Sequence, residues 1–167
     1  MIKQGQGQQK IRKDREPQNY TVNVCKHVFL GYYSLMLAQN PKKVRVKRGI
    51  SGLGLFADEK IKKGEYVISY KGKLISNEEA EKLKTRYLFE LDDKYTIDGS
   101  SRENLARYIN HFCEPNLEAD IVAGEIVFIA LKDIEKGEEL GFDYGEEYFN
   151  DFIKKKGCAC DAKIHKY

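Results

Sequence analysis

From residue 44 onward the chain is a series of short apolar runs punctuated by glycine and charge: VRV at 44–46, GLF at 54–56, YVISY at 66–70, KYTID at 94–98, EIVFIAL at 125–131 and ELGFDYG at 139–145. Short runs rich in Val, Ile, Tyr and Phe between turn residues read as strands, so this body is predicted to be mostly β with short helices. One helix is predicted within it. It opens at Ser76, where Glu79 three residues later completes a capping-box pattern, and runs through Ala80, Leu83 and Tyr87.

Upstream the pattern changes. Residues 20–40 are apolar and aromatic and predict a packed strand or helix ahead of the Asn40-Pro41 break. Residues 1–19 are rich in Gln, Gly, Lys and Arg with scarcely an apolar side chain, so burial cannot offset their ordering entropy and a flexible basic tail is predicted. The expected organisation is a tail at 1–19, a packed extension at 20–43, a β body at 44–146 and a short C-terminal tail at 147–167.

Charge sharpens this division. Residues 1–50 hold 11 Lys and Arg against 2 Asp and Glu, while residues 51–167 hold 18 against 24. An acidic body raises the local concentration of cationic ligands and a basic segment does the same for phosphates, or both are ordinary solvated surface. No apolar run reaches the roughly 20 residues that a membrane helix needs, and the first twenty positions lack the apolar core of a secretion signal, so a soluble intracellular protein is expected. The 167 residues, 41% hydrophobic and 33% charged, suit one domain with a short appendage.

Three segments carry candidate chemistry. In Ser51-Gly-Leu-Gly-Leu-Phe-Ala57, two glycines flank an apolar residue, which serves a tight turn or a close approach of backbone to a ligand. The segment Arg107-Tyr-Ile-Asn-His-Phe-Cys-Glu-Pro-Asn116 concentrates Arg, His, Cys and two amides, donors and acceptors suited to a polar ligand. Four cysteines (Cys25, Cys113, Cys158, Cys160) are too few for a disulfide framework, and Cys158-Ala-Cys160 points to metal binding in a reducing compartment.

Taken with Gly137-Glu-Glu-Leu-Gly-Phe-Asp-Tyr-Gly145, the 107–116 segment resembles the two signature motifs of the SET-domain protein lysine methyltransferases. GLGLFA at 52–57, Tyr70-Lys-Gly72, Tyr87-Leu-Phe-Glu-Leu-Asp92 and Tyr95-Thr-Ile-Asp98 resemble further family segments in the family's order. The resemblance spans roughly 44–165. It implies a β-clip fold of small sheets in which 107–116 and 137–145 cross in a knot-like C-terminal arrangement.

The same resemblance implies an S-adenosylmethionine-dependent protein lysine N-methyltransferase. The cofactor would be held by Gly52, Leu53, Gly54, Tyr87, Arg107, Asn110 and His111, with Tyr148 near the adenine. Tyr70, Tyr87, Phe89 and Phe142 would line the substrate lysine channel, ending at Tyr144 as catalytic residue; each aromatic taken singly also suits core packing. Phe142 would occupy a product switch, where phenylalanine leaves room for di- or trimethylation. Cys113, Cys158, Cys160 and His165 would bind a structural zinc, with His165 standing where the family usually has cysteine; free or buried thiols are the alternative. Lys73 and Gly141 also depart from the family pattern, where Glu and a β-branched residue are usual. The implied partner is a protein with an exposed basic tail, a histone or histone-like protein. That places the chain at the nucleus or chromosome in a eukaryote, and in the cytoplasm or at a host target otherwise. A catalytically silent SET module binding peptide or chromatin is the rival reading, and residues 1–50 offer a weak nucleic-acid contact.

Overall fold

A computed structural model of the chain describes Gln9 and residues 39–167. The rest of the predicted 1–19 tail, most of the 20–43 extension and Cys25 lie outside the described residues.

Four small sheets make up the described body. Strands β1 (Val44–Gly49) and β2 (Gly52–Ala57) form a hairpin whose turn sits at Ile50 and Ser51. GLGLFA is therefore mainly strand, not turn. β3 (Tyr66–Tyr70) is buried along its whole length, as its unbroken apolar run requires. It pairs with β9 (Glu125–Ala130), which pairs in turn with β8 (Leu117–Val122). A third sheet orders β4 (Lys73–Ser76), β6 (Tyr95–Asp98) and β5 (Leu88–Glu90), leaving β4 and β5 at its edges.

The capping box forms as read. Ser76 Oγ accepts from the Glu79 N–H and the Glu79 carboxylate accepts from the Ser76 N–H. The helix it starts, α1, spans only Asn77–Ala80, shorter than the predicted run to Tyr87. Leu83 still packs on Ile75, Ala80 and Leu88, but from a turn, because the chain must bend there to deliver Tyr87 and β5 to the sheet.

The fourth sheet matters most for the site. β7 (Asn110–His111) runs parallel to β10 (Gly141–Phe142), joining the two signature segments over a large sequence separation. Asn116 stitches them further, donating from Nδ2 to the Glu139 carbonyl at 2.8 Å and accepting at Oδ1 from the Gly141 N–H at 2.9 Å. Gly141 has a local cause: a Cβ there would run into the Phe112 ring. Beyond β10 come α2 (Glu146–Tyr148), a π-helical turn at 149–153 and a 3₁₀ turn at 154–156, leading into the cysteine-bearing end. No described helix is long and apolar enough to cross a membrane.

Candidate functional site

A cavity of about 550 Å³ opens between the β1–β2 turn, the 107–111 segment and the C-terminal helical turns. Its walls bring together Leu53, Tyr87, Arg107, Asn110, His111, Tyr144 and Tyr148, all singled out from sequence. Gly52 and Gly54 are not among the lining residues. Gly52 opens β2 just after the turn, exposed and at positive φ, while Gly54 is buried against the Glu139 carboxylate and the Asn110 amide.

Glu139 explains Gly54 and was missed by sequence reasoning. Its Oε1 accepts from Asn110 Nδ2 at 2.6 Å and its Oε2 from the Ile50 N–H at 3.2 Å, clamping the β1–β2 turn to the Asn110 amide. A Cβ at Gly49 or Gly54 would collide with that carboxylate. The signal in the sequence was thus the pair of glycines, which leave room for an inward acid. Arg86, Tyr108, Phe152, Lys156 and Gln9 also line the cavity and were not predicted.

Three of the predicted channel residues, Tyr70, Phe89 and Phe142, form one aromatic file with Tyr144 and Tyr148, whereas the Tyr87 ring is covered by Arg107. Tyr70 meets Phe89 at 5.3 Å between ring centroids, Phe89 stacks on Phe142 at 5.9 Å, Phe142 meets Tyr144 at 4.7 Å and Tyr144 meets Tyr148 edge-on at 4.8 Å. Tyr70, Phe89 and Phe142 are buried behind Tyr144 and do not line the cavity itself. Phe128 closes the other side of Phe142 at 4.9 Å. The Tyr70 hydroxyl donates to the Tyr87 carbonyl at 2.9 Å, and the Tyr144 hydroxyl to the Ile109 carbonyl at 2.6 Å.

Burial dominates the electrostatics here. It drives Tyr144 well above the ordinary tyrosine range, helped by the nearby Tyr148, Tyr70 and Tyr87 and opposed by Arg86. It pushes Tyr148 up to about 12 against the Arg86 charge. The charged lining residues are Arg86, Arg107 and Lys156, so the cavity suits a ligand with an anionic group. Arg107 spreads its guanidinium over the Tyr87 ring at 3.7 Å and donates to the Ser100 carbonyl, yet its Nε is buried with no hydrogen-bond partner among the described residues.

His111 joins the cavity to the C-terminal cysteines. Its Nδ1 accepts from the Tyr144 N–H at 3.2 Å, which leaves Nε2 to carry the proton toward Cys113 Sγ at 3.4 Å. Burial lowers its pKa to about 4, overriding Asp143 at 4.0 Å, so the ring is neutral. Asp143 instead takes Lys166 at 2.6 Å and the Tyr167 hydroxyl at 3.1 Å, which pins the C-terminal residues against the site.

Cys113, Cys158, Cys160 and His165 converge, their ligand atoms all within 4.8 Å of one another. Cys113 Sγ lies 3.8 Å from Cys158 Sγ and 3.6 Å from His165 Nδ1, and Cys160 Sγ lies 3.6 Å from that same nitrogen. Tetrahedral zinc with bonds of about 2.3 Å to sulfur sets sulfur atoms about 3.8 Å apart, so this donor set fits it. Burial raises the Cys113 thiol and pushes Cys158 up to about 12, whereas at Cys160 hydrogen bonds from the Cys113 and Ala162 N–H groups outweigh burial and bring the thiol down to about 7, so of the three cysteines Cys160 stands nearest the thiolate a metal needs.

Residues 52–145 match the family model of the SET domain. The chain belongs to the SET-domain family. Among SET-domain relatives, it is 39% identical over 124 residues to the human histone-lysine N-methyltransferase EHMT1, covering 66% of this chain and 10% of that protein. It is 35% identical over 140 residues to a histone-lysine N-methyltransferase, H3 lysine-4 specific, of Aspergillus oryzae, covering 75% of this chain and 11% of that one. The chain thus spans about a tenth of the length of these curated relatives. Among solved structures it resembles a chain of the Chaetomium thermophilum polycomb repressive complex 2, with TM-score 0.61 and 37% identity over 68% of this chain and 16% of that chain. A structure of that complex bound to S-adenosylmethionine gives TM-score 0.59 and 35% identity, covering 70% of this chain and 17% of that chain.

Proposed function

We propose that this SET-domain chain transfers methyl groups from S-adenosylmethionine to a lysine side chain of a protein with a basic tail, a histone or histone-like protein. The observation that carries the reading is the cavity itself, where Leu53, Arg107, Asn110 and His111 face the same space as Tyr144 and Tyr148. Relatives named as histone-lysine N-methyltransferases and a related solved structure bound to S-adenosylmethionine support it.

When bound, S-adenosylmethionine supplies an electrophilic methyl group on a sulfonium. The cationic lining, with the unmatched Arg107 Nε, suits the carboxylate of its methionine part, and the Asn110 amide held by Glu139 offers a fixed polar edge. Displacement at a methyl group demands a neutral amine aligned with the bond that breaks, so most of the catalysis is orientation. A lysine with a pKa of about 10.4 is largely protonated in water near neutral pH. The aromatic file and the Arg86 charge both favour its neutral form, and its proton leaves to water before attack.

Tyr144 is the proposed catalytic residue. Held protonated by burial, its hydroxyl orients the amine as a hydrogen-bonding group and does not act as a base. Phe142 has no hydroxyl to anchor a water behind Tyr144, which supports di- or trimethylation. Cys113, Cys158, Cys160 and His165 would hold a structural zinc that fixes residues 147–167 beside the cavity. Action on histones would place the protein at chromatin. Incubation with labelled S-adenosylmethionine and a panel of histones tests the reading. Label on a basic tail supports it, and no transfer together with no cofactor binding by calorimetry overturns it.

A further inference from the structure

Gln9 has no part in the chemistry proposed above, yet it faces the same cavity. It sits on the open edge of β5, the outer strand of the β4–β6–β5 sheet. Its N–H donates to the Leu88 carbonyl at 3.1 Å and its carbonyl accepts from the Glu90 N–H at 3.0 Å, a parallel pairing centred on Phe89. An extended peptide adds to a sheet edge in this way, with backbone bonds giving affinity and alternate side chains entering pockets. Gln9 is only 5% exposed, lines the cavity with Tyr87, Tyr144 and Tyr148, and hydrogen-bonds Tyr148 through its side chain. Its Oε1 is buried with no hydrogen-bond partner among the described residues.

We propose that Gln9 is a pseudosubstrate: it holds the strand position and the side-chain place of a substrate lysine, and a basic peptide must displace it before reaction. This rests on the methyltransferase reading of the same cavity. An amide side chain fits the role because it is polar and extended, as a neutral lysine is, but its nitrogen is not a nucleophile. The unmatched Oε1 keeps self-docking weak, so that a substrate offering a better-matched side chain can win the edge. The sequence around it, Gln9-Lys10-Ile11-Arg12-Lys13, has the basic character of the proposed substrate class.

Replacing Gln9 with lysine should convert inhibitor into substrate. The lysine nitrogen lone pair would form the new N–CH3 bond as the sulfonium S–CH3 bond breaks, leaving a thioether, with the displaced ammonium proton passing to water. The experiment uses the full 167-residue chain, S-adenosylmethionine and a histone-tail peptide, comparing wild type, Gln9→Lys and Gln9→Ala. Fragment-ion mass spectrometry should find methyl at position 9 of the Gln9→Lys chain, at a rate independent of protein concentration. Gln9→Ala should lower the peptide KM, by up to about tenfold if the docked form holds about nine molecules in ten, with cofactor Kd unmoved. Peptide methylation without methyl at position 9, and with peptide KM unchanged in Gln9→Ala, would overturn the proposal and leave the methyltransferase reading standing. A cofactor Kd that shifts while peptide KM does not would place Gln9 in the cofactor's space and also overturn it. Absence of transfer to any protein from wild type would overturn both.

Discussion

The Tyr144 hydroxyl donates a 2.6 Å hydrogen bond to the Ile109 carbonyl, fixing the end of one signature segment on the other. The backbone repeats the link, with the Tyr144 N–H donating to His111 Nδ1 at 3.2 Å. The position of this phenol is thus set by the parallel pairing of β7 and β10 and not by a flexible loop.

A pH prediction follows from its burial. The folded pKa of Tyr144 lies well above the unfolded value near 10, so its stabilising contribution is full below pH 10 and is lost as pH rises through the folded value. Tyr148, raised to about 12, behaves likewise. The methylation rate should therefore climb with pH as the lysine amine deprotonates, with no tyrosine inflection below about pH 10. Alkaline unfolding should begin above that value, with its midpoint rising in Tyr148→Phe. Rate–pH profiles and circular dichroism check the two halves, and a Tyr144-dependent inflection below neutrality would contradict them.

Phe142→Tyr should shift products toward monomethyl-lysine. The added hydroxyl would enter a space walled by Phe89, Phe128 and Tyr144 and would recruit a water there. Leaving it unpaired would cost about 1–3 kcal/mol of stability. Mass spectrometry of a peptide product gives the methyl distribution, and an unchanged distribution would remove the switch.

Glu139→Ala should weaken cofactor binding without touching the aromatic file. The variant removes the carboxylate that accepts from both the Asn110 amide and the Ile50 N–H, leaving Asn110 Nδ2 its 3.3 Å bond to the Leu53 carbonyl. A loss of about 1–3 kcal/mol corresponds to roughly 5- to 150-fold in Kd, measured by calorimetry. An unchanged Kd would show that the clamp is only structural.

His165→Ala should reduce bound zinc below one ion per chain and lower Tm, with chelators producing the same loss in wild type. Removing residues 158–167 should do more damage, because it deletes three of the four ligands and the Lys166 and Tyr167 contacts to Asp143. Elemental analysis finding no zinc in wild type would remove the site.

Much of the fold was legible because it is local. YVISY became β3 without adjustment, and the Ser76–Glu79 capping box formed both of its hydrogen bonds. β8 was missed because Glu118 and Asp120 interrupt its apolar pattern, although Leu117 and Val122 are buried and Ala123-Gly124, both at positive φ, make the hairpin turn. The metal cluster was legible through the resemblance, as were seven of the residues that line the cavity, among them Arg107, Asn110 and Tyr144. Glu139 and Gln9 were not, because each acts only through a partner distant in sequence: two glycines and an amide for the first, a strand edge for the second.

The most direct test is intact-mass analysis of a histone-tail peptide after incubation with methyl-deuterated S-adenosylmethionine and either the wild-type chain or Tyr144→Phe. The account predicts labelled methyl on a lysine with wild type, and turnover lower by about 10²–10³-fold in the variant with cofactor Kd nearly unchanged. An unlabelled peptide with wild type, or full turnover in Tyr144→Phe, would contradict it.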